Sequence, residues 1–212
     1  FEHVSPDSVG NTRRFLMSEV AGRSTILDKV RKVDPSVTKD SPVTAEIVAK
    51  IKEMEFFGYQ FEGADASFEL LIRKSLGTYK PFFTLEKFKT IGEQISGEDF
   101  SPATAVVKVS VDGTSEISAA EGNGPVNALD VALRKALERF YPSLKEFALT
   151  DYKVRILDSK ETSSAKTRVL IESGDGKDIF TTVGVSRDII EASLTALKDA
   201  IEYKLIKDGV TP

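Results

Sequence analysis

The stretch EGNGPVNALDVALRKAL at 121–137 sets two glycines and a proline directly before a run of helical periodicity. Gly122 and Gly124 open backbone angles closed to other residues, and Pro125 suits a first helical position. Such a turn leaves the first N–H groups of a helix free and lets another group approach closely, which is chemistry for a carboxylate. The same residues equally make a plain strand-to-helix turn. A G-x-G pair alone is weak evidence for a nucleotide: the dinucleotide fingerprint needs a Gly or Ala where Asn127 stands, and no βαβ unit surrounds it. Tyr152 shares a strand face with Val154 and Ile156, either as core or as the wall of an apolar ligand site. His3 is the only histidine, and with Glu2 alone beside it makes no metal site; it is linker surface or the edge of an active site. Arg13, Arg14 and Arg23 suit a carboxylate or phosphate, or simple ion pairs on a surface. The acids of DGKD at 175–178 lack the spacing of a calcium loop and read as a hairpin turn. With no convincing nucleophile–base pair and no metal constellation, catalysis within this chain is not expected.

Composition narrows the class. The 212 residues are 41% hydrophobic and 29% charged, with a net charge of −4. An acidic balance disfavours nucleic acid and anionic membranes as partners. The absence of cysteine removes disulfides, thiolate metal sites and a cysteine nucleophile. No apolar run approaches the roughly 20 residues that cross a bilayer, and there is no signal peptide. These features point to a soluble, cytoplasmic protein. The chain opens on FEHVSPDSVGN, without methionine, and reads as a piece of something longer.

Three stretches must position the candidate residues. Residues 1–34 are turn-rich and then carry a strand pattern at 13–20, a turn at Ala21-Gly22-Arg23, and a helix capped by Ser24 with Ile26, Leu27 and Val30 inward. Residues 35–84 are helical. Ser41 caps a helix with Pro42 at its first position, Val43, Ile47, Ile51 and Met54 form one apolar face, and Gly58 stops it. Asp65 caps a second helix with Phe68, Leu71, Ile72 and Leu76 inward, ended by Gly77. Two such helices bury little alone and are expected to form a small subdomain or pack on a partner.

Residues 85–212 change character. TAVVKVSVD at 104–112 and EISAA at 116–120 are strands joined by a hairpin at Asp112-Gly113-Thr114, followed by the helix after GNGP. YKVRILDS, TRVLIES and DIFTTVGV then give three strands, and a helix from about Asp188 to Leu205 closes the chain. A shift of 64 positions carries Val126 onto Ile190, Phe88 onto Tyr152, Val106 and Val107 onto Leu170 and Ile171, and Ala128, Ala132 and Ala136 onto Ala192, Ala196 and Ala200. Each unit is βββα, and one such unit cannot cover its own sheet. The expectation is an α+β domain of two three-stranded sheets and two helices, related by pseudo-symmetry.

EGNGPVNALDVALRKAL, LTDYKVRIL at 149–157 and TTVGVSRDIIEASLTAL at 181–197 together resemble the signature of the C-terminal regulatory domain of the 2-isopropylmalate synthase and citramalate synthase family. FEHVSPDSVGNTRRFLMSEVAGRSTI and MEFFGYQFEGADASFELLIRK resemble, in the citramalate-type branch, the tail of the catalytic region and its helical linker. The resemblance covers nearly the whole chain. It divides the chain into residues 1–34, the tail of a catalytic region, 35–84, a helical linker subdomain, and 85–212, a regulatory and dimerisation domain.

The resemblance implies a parent acyltransferase that condenses acetyl-CoA with a 2-oxo acid in a (β/α)₈ barrel absent from this chain, where its divalent metal and acetyl-CoA would bind. It implies no cofactor here, a homodimer, and feedback inhibition by a branched-chain amino acid, isoleucine or leucine. The implied effector residues are Gly124, Val126 and Asn127 at the first helix start, Leu149, Tyr152 and Ile156 on the strand, Thr162 on the following loop, and Ile189 and Ile190 at the last helix. Such a ligand needs apolar walls for its side chain and polar partners for its ends: helix N–H groups and the Asn127 amide for the carboxylate, backbone carbonyls or Asp151 for the ammonium. Phe1, Asn127 and Lys166 depart from the family pattern; Lys166 stands where an apolar wall is expected and is read as facing solvent. A dimerisation domain without effector, or a double-stranded-RNA-binding-like module, are the alternatives; the acidic charge opposes the second.

Overall fold

The computed structural model describes residues 23–93, 102–157 and 165–212. The strand expected at 13–20, together with Phe1, His3, Arg13, Arg14 and Thr162, lies outside these ranges. Three helices come first: α1 (Arg23–Val33), α2 (Pro42–Phe57) and α3 (Asp65–Ser75). Then follow β1 (Thr84–Gly92), β2 (Ala103–Val111), β3 (Thr114–Gly122) and α4 (Pro125–Leu137). After a short 3-10 turn come β4 (Ala148–Ile156), β5 (Thr167–Gly174), β6 (Ile179–Ser186) and α5 (Ile189–Lys207). The strands form two antiparallel sheets, ordered β1-β2-β3 and β4-β5-β6. This is the α+β layout expected from the repeat.

The repeat holds to the single residue. Phe88 pairs with Val107 in the first sheet, and Tyr152 pairs with Ile171 in the second, 64 positions on in both members. Even the irregularity recurs: the register slips between Leu85 and Lys87 in β1 and between Leu149 and Asp151 in β4. Asp112 and Gly113, at φ 47° and 77°, form the tight left-handed hairpin turn that an Asp-Gly pair favours.

Both repeat helices lie on their sheets through alanine. Ala128, Ala132 and Ala136 in α4, and Ala192, Ala196 and Ala200 in α5, recur every fourth residue and are all buried. A stripe of small side chains lets a helix backbone come close to a sheet. Gly184 of β6 sits under that stripe: a Cβ there would lie 2.0 Å from the Ala192 carbonyl oxygen. Beside it, Thr182 Oγ1 donates to the Ala196 carbonyl at 2.8 Å. Leu129, Leu133 and Leu137 join Val107, Val109, Val169 and Ile171 in one core shared by the two units.

The three N-terminal helices pack on the second unit. Ile26, Val30, Ile47, Ile51, Phe61, Phe68 and Ile72 form an apolar cluster with Val183 of β6. β6 is the outer strand of its sheet, and α3 covers it: Ser67 Oγ accepts the Val183 N–H at 3.1 Å and donates to Asp199 of α5 at 2.8 Å. An uncovered strand edge would invite pairing with another chain. Three expected caps act differently. Ser24 lies inside α1, which starts at Arg23. Ser41 precedes α2, but its hydroxyl binds the Thr38 N–H at 3.0 Å instead of the helix. Asp65 is the first residue of α3 rather than its cap, and its carboxylate pairs with Lys29 of α1. For Ser41 and Asp65 a partner outside the helix takes the side chain that local sequence assigns to the helix end.

The segment entering β1 is tied to α5. Glu202 is buried; its carboxylate accepts the Phe82 N–H at 3.3 Å and the Tyr79 hydroxyl. Burial pushes this carboxyl up to about 7 from its ordinary 4.5. The folded protein therefore holds the proton more tightly than the unfolded chain does. This contribution to stability is complete below about pH 4.5 and is lost as the pH rises to about 7, an effect of about 3 kcal/mol. Urea denaturation across pH 5–8 is predicted to show this fall, and Glu202→Gln to flatten it. Gly184→Ala is predicted to cost about 3 kcal/mol or more, because backbone must move to admit the methyl; the denaturation midpoint measures it.

Candidate ligand site at the starts of the repeat helices

The turn before α4 is tight for a steric reason. A Cβ at Gly122 would lie 2.5 Å from the Ala128 nitrogen, so the strand end abuts the helix start. Gly124 occupies the cap position at φ +131°, and no side chain caps α4. Asn127 Oδ1 accepts the Asn123 N–H at 3.0 Å, which commits the carbonyl end of that amide to closing the turn. Val126 is half-buried behind it.

The equivalent turn before α5 is built differently. Asp188 stands 64 positions after Gly124, and its Oδ1 accepts the N–H groups of Ile190 at 2.7 Å and Glu191 at 3.4 Å. The second unit thus supplies a carboxylate at its helix start from its own chain. The first unit has glycine in that place. At a helix start the free N–H groups and the dipole favour an anion.

On the second unit, strand β4 and the start of α5 make an apolar surface. The Tyr152 hydroxyl lies 2.9 Å from Ser193 Oγ. Ser193 donates its own proton to the Ile189 carbonyl at 2.6 Å, so the tyrosine is the donor to the serine. Val154 and Ile156 follow Tyr152 on the same strand face, 42% and 62% exposed, and Ile189 is 41% exposed. Leu149 and Ile190 are half-buried and pack on the shared core beneath. Asp151 accepts the Tyr152 N–H at 2.8 Å and pairs with Lys153, which holds its carboxyl below the usual aspartate range. Lys166 leaves this face: its Nζ lies 5.2 Å from the centre of the Phe57 ring of α2.

The expected effector residues therefore fall into two groups. Leu149, Tyr152, Ile156, Ile189 and Ile190 lie on β4 and at the start of α5, two elements joined by the Tyr152–Ser193 bond. Gly124, Val126 and Asn127 belong to the matching corner of the first unit, on a helix that packs against β2 and β3 and touches α5. A separate cleft of about 390 Å³ lies between α2, α3 and α5, walled by Met54, Phe61 and Leu71 with Ser67, Lys74 and Asp199 at one side. Burial pushes the Asp199 carboxyl up, against the pull of Lys74 and Ser67. Sequence reading missed this cleft. The only local signal was an acid, Asp199, set within the apolar repeat of α5.

A duplicated βββα unit with an open apolar patch at one helix start and an uncapped start at the other is, by fold and surface, a domain suited to contact with a small ligand or a second subunit. Residues 62–205 match the LeuA allosteric (dimerisation) domain, and the chain belongs to that family. It is 52% identical over 207 residues to the (R)-citramalate synthase of Geobacter sulfurreducens, covering 98% of this chain and 39% of that protein. The (R)-citramalate synthase of Aquifex aeolicus is 47% identical over 208 residues, 98% of this chain and 39% of the relative. A probable 2-isopropylmalate synthase of Methanopyrus kandleri is 30% identical over 196 residues, 92% of this chain and 37% of the relative. The chain thus spans about two fifths of the length of these relatives. Membership in a dimerisation family supports a homodimer. Among the described residues no helix is long and apolar enough to cross a membrane.

The difference between the two helix starts is testable without a ligand. Asp188→Ala is predicted to cost about 1 kcal/mol in urea denaturation, and Asp188→Ser to retain most of the stability.

Proposed function

We propose that this chain is the effector-binding and dimerisation part of an acetyl-CoA-dependent enzyme that condenses a 2-oxo acid, of the citramalate-forming type. A branched-chain amino acid is its effector and exerts feedback inhibition on the parent enzyme. The divalent metal and acetyl-CoA act in a catalytic barrel outside these 212 residues. The observation that carries the reading is the 52% identity to an (R)-citramalate synthase over 98% of the chain. In this reading isoleucine, rather than leucine, is the first effector to test.

The geometry is compatible with that chemistry. A branched aliphatic side chain fits the exposed surface of Tyr152, Val154, Ile156 and Ile189, where burial of apolar area is the driving force. The ligand carboxylate fits the α4 start, where Gly124 leaves the place that Asp188 fills in the second unit. Asp151 is already paired with Lys153, so backbone carbonyls are the better partners for the ammonium. The two corners belong to different repeat units, and in this reading the ligand sits at the two-fold interface of the dimer, where they are brought together.

Calorimetric titration with isoleucine, leucine, valine and pyruvate tests the reading. Isoleucine is expected to bind and to raise the melting temperature as a ligand of the native state does. Ile156→Asp is expected to cost about 2 kcal/mol of binding, about thirtyfold in Kd, through loss of apolar contact. Tight binding of leucine alone would assign the parent to 2-isopropylmalate synthesis. No binding by any of the four, in a folded dimer, would leave a dimerisation domain without an effector.

A further inference from the structure

The last residues of β4 and the first residues of β5 hold the turn that ends α2. Leu157 continues the strand pairing one step past Ile156, donating its N–H to the Lys166 carbonyl at 2.9 Å. The Leu157 side chain lies over Gly58, where a Cβ would be only 2.3 Å from Leu157 Cδ1. Gly58 is at φ +110°, which disfavours any other residue there, and a side chain would also displace Leu157. Arg168 then grips the turn with its guanidinium. Nε donates to the Gly58 carbonyl at 2.6 Å, and Nη1 donates to Gln60 Oε1 at 2.6 Å. Lys166 lies over the Phe57 ring, and the Tyr59 hydroxyl bonds to the Val185 backbone of β6. Four consecutive residues, Phe57 to Gln60, are thus each held by the second sheet.

The placement of this joint relative to the apolar patch gives it a consequence. Ile156 and Leu157 are neighbours in the chain at the end of β4, and successive side chains of a strand point to opposite faces. Ile156 faces the patch beside α5; Leu157 faces Gly58. Any contact that fixes or rotates the end of β4 on one face is felt on the other. Beyond the turn, α3 begins at Asp65 and packs along β6 and α5.

We propose that Arg168 is a positioning residue that couples the end of β4 to the helical layer. Through its fork on Gly58 and Gln60, occupation of the Tyr152–Ile156 surface changes how α2 and α3 sit on the second sheet. This rests on the effector reading above for the ligand, though not for the joint itself. Two charge-assisted hydrogen bonds to one planar group fix both distance and direction, which a single contact would not. Both bonds go to one short turn, so a shift of that turn strains them together.

Hydrogen exchange of the full 212-residue chain tests this, comparing wild type with Arg168→Met, which keeps the aliphatic stem and removes the fork. Without ligand, Arg168→Met is expected to speed exchange about tenfold at both Gly58–Gln60 and Lys166–Arg168, leaving β1 to β3 unchanged. Gln60→Ala, a milder variant, is expected to do the same to a smaller extent. With isoleucine, the wild type is expected to slow at Gly58–Gln60, whereas Arg168→Met binds the ligand and shows no such slowing. Faster exchange on one side of the joint only, or ligand-induced slowing that survives in Arg168→Met, would overturn the proposal. If isoleucine fails to bind the wild type, the effector reading falls, and the ligand-free comparison still decides whether Arg168 couples the two segments.

Discussion

The distance between a helix and its sheet is the quantity on which the rest of this structure turns. It is set by alanines every fourth residue in α4 and α5 and by Gly184 beneath α5. With small side chains in contact, the helix backbone approaches closely enough for Thr182 to donate directly to the Ala196 carbonyl. Interior packing is crystal-like, so a close approach in one place fixes orientation everywhere along the helix. Because α5 is held so closely, its remaining flanks are aimed precisely. Ser193 meets Tyr152 of β4, Asp199 meets Ser67 of α3, and Glu202 meets the segment entering β1. One helix is therefore wall of the apolar patch, seat of the helical layer and anchor of the first unit.

Duplication explains the frame, and divergence explains the chemistry. The paired strands, the bulge and the alanine stripe coincide under a 64-residue shift. Among the places where the units differ, the two helix starts bear on the chemistry. Phe88 and Leu129 of the first unit are apolar; their counterparts Tyr152 and Ser193 form a hydrogen bond. Gly124 of the first unit becomes Asp188, which caps its own helix. A repeat that kept both corners alike would offer the same surface twice. The corners here offer complementary halves, one apolar and one with unclaimed N–H character.

The helical layer is joined to the second unit by polar groups as well as by apolar ones. Asp199 accepts from Ser67 and pairs with Lys74, Glu69 accepts from Tyr203 and pairs with Arg73, and Arg168 holds Gly58 and Gln60. Buried polar contacts add little net stability, since desolvation opposes them. Their directionality does specify one packing arrangement among several of similar apolar area, which suits a layer whose position carries information.

Periodicity and turn chemistry were enough to determine most of the frame. Helices α2, α3, α4 and α5, the hairpin at Asp112-Gly113, the stop at Gly58 and the two βββα units all follow from local pattern, because each is enforced by contacts within a few residues. Lys166, expected in solvent, instead lies half-buried over the Phe57 ring, a contact from a distant part of the chain. Ser41 stands at the start of α2 as its sequence indicates, but that its hydroxyl turns to Thr38, and that Asp65 pairs with Lys29 inside α3's first turn, was not legible, because partners outside the helix compete for those side chains. The roles of Asp199, Glu202 and Arg168 have no motif in the sequence to announce them. Only the tertiary structure sets Asp199 against Ser67, buries Glu202 and brings Arg168 to the α2 turn, because burial and partnership depend on residues more than 100 positions apart in the chain.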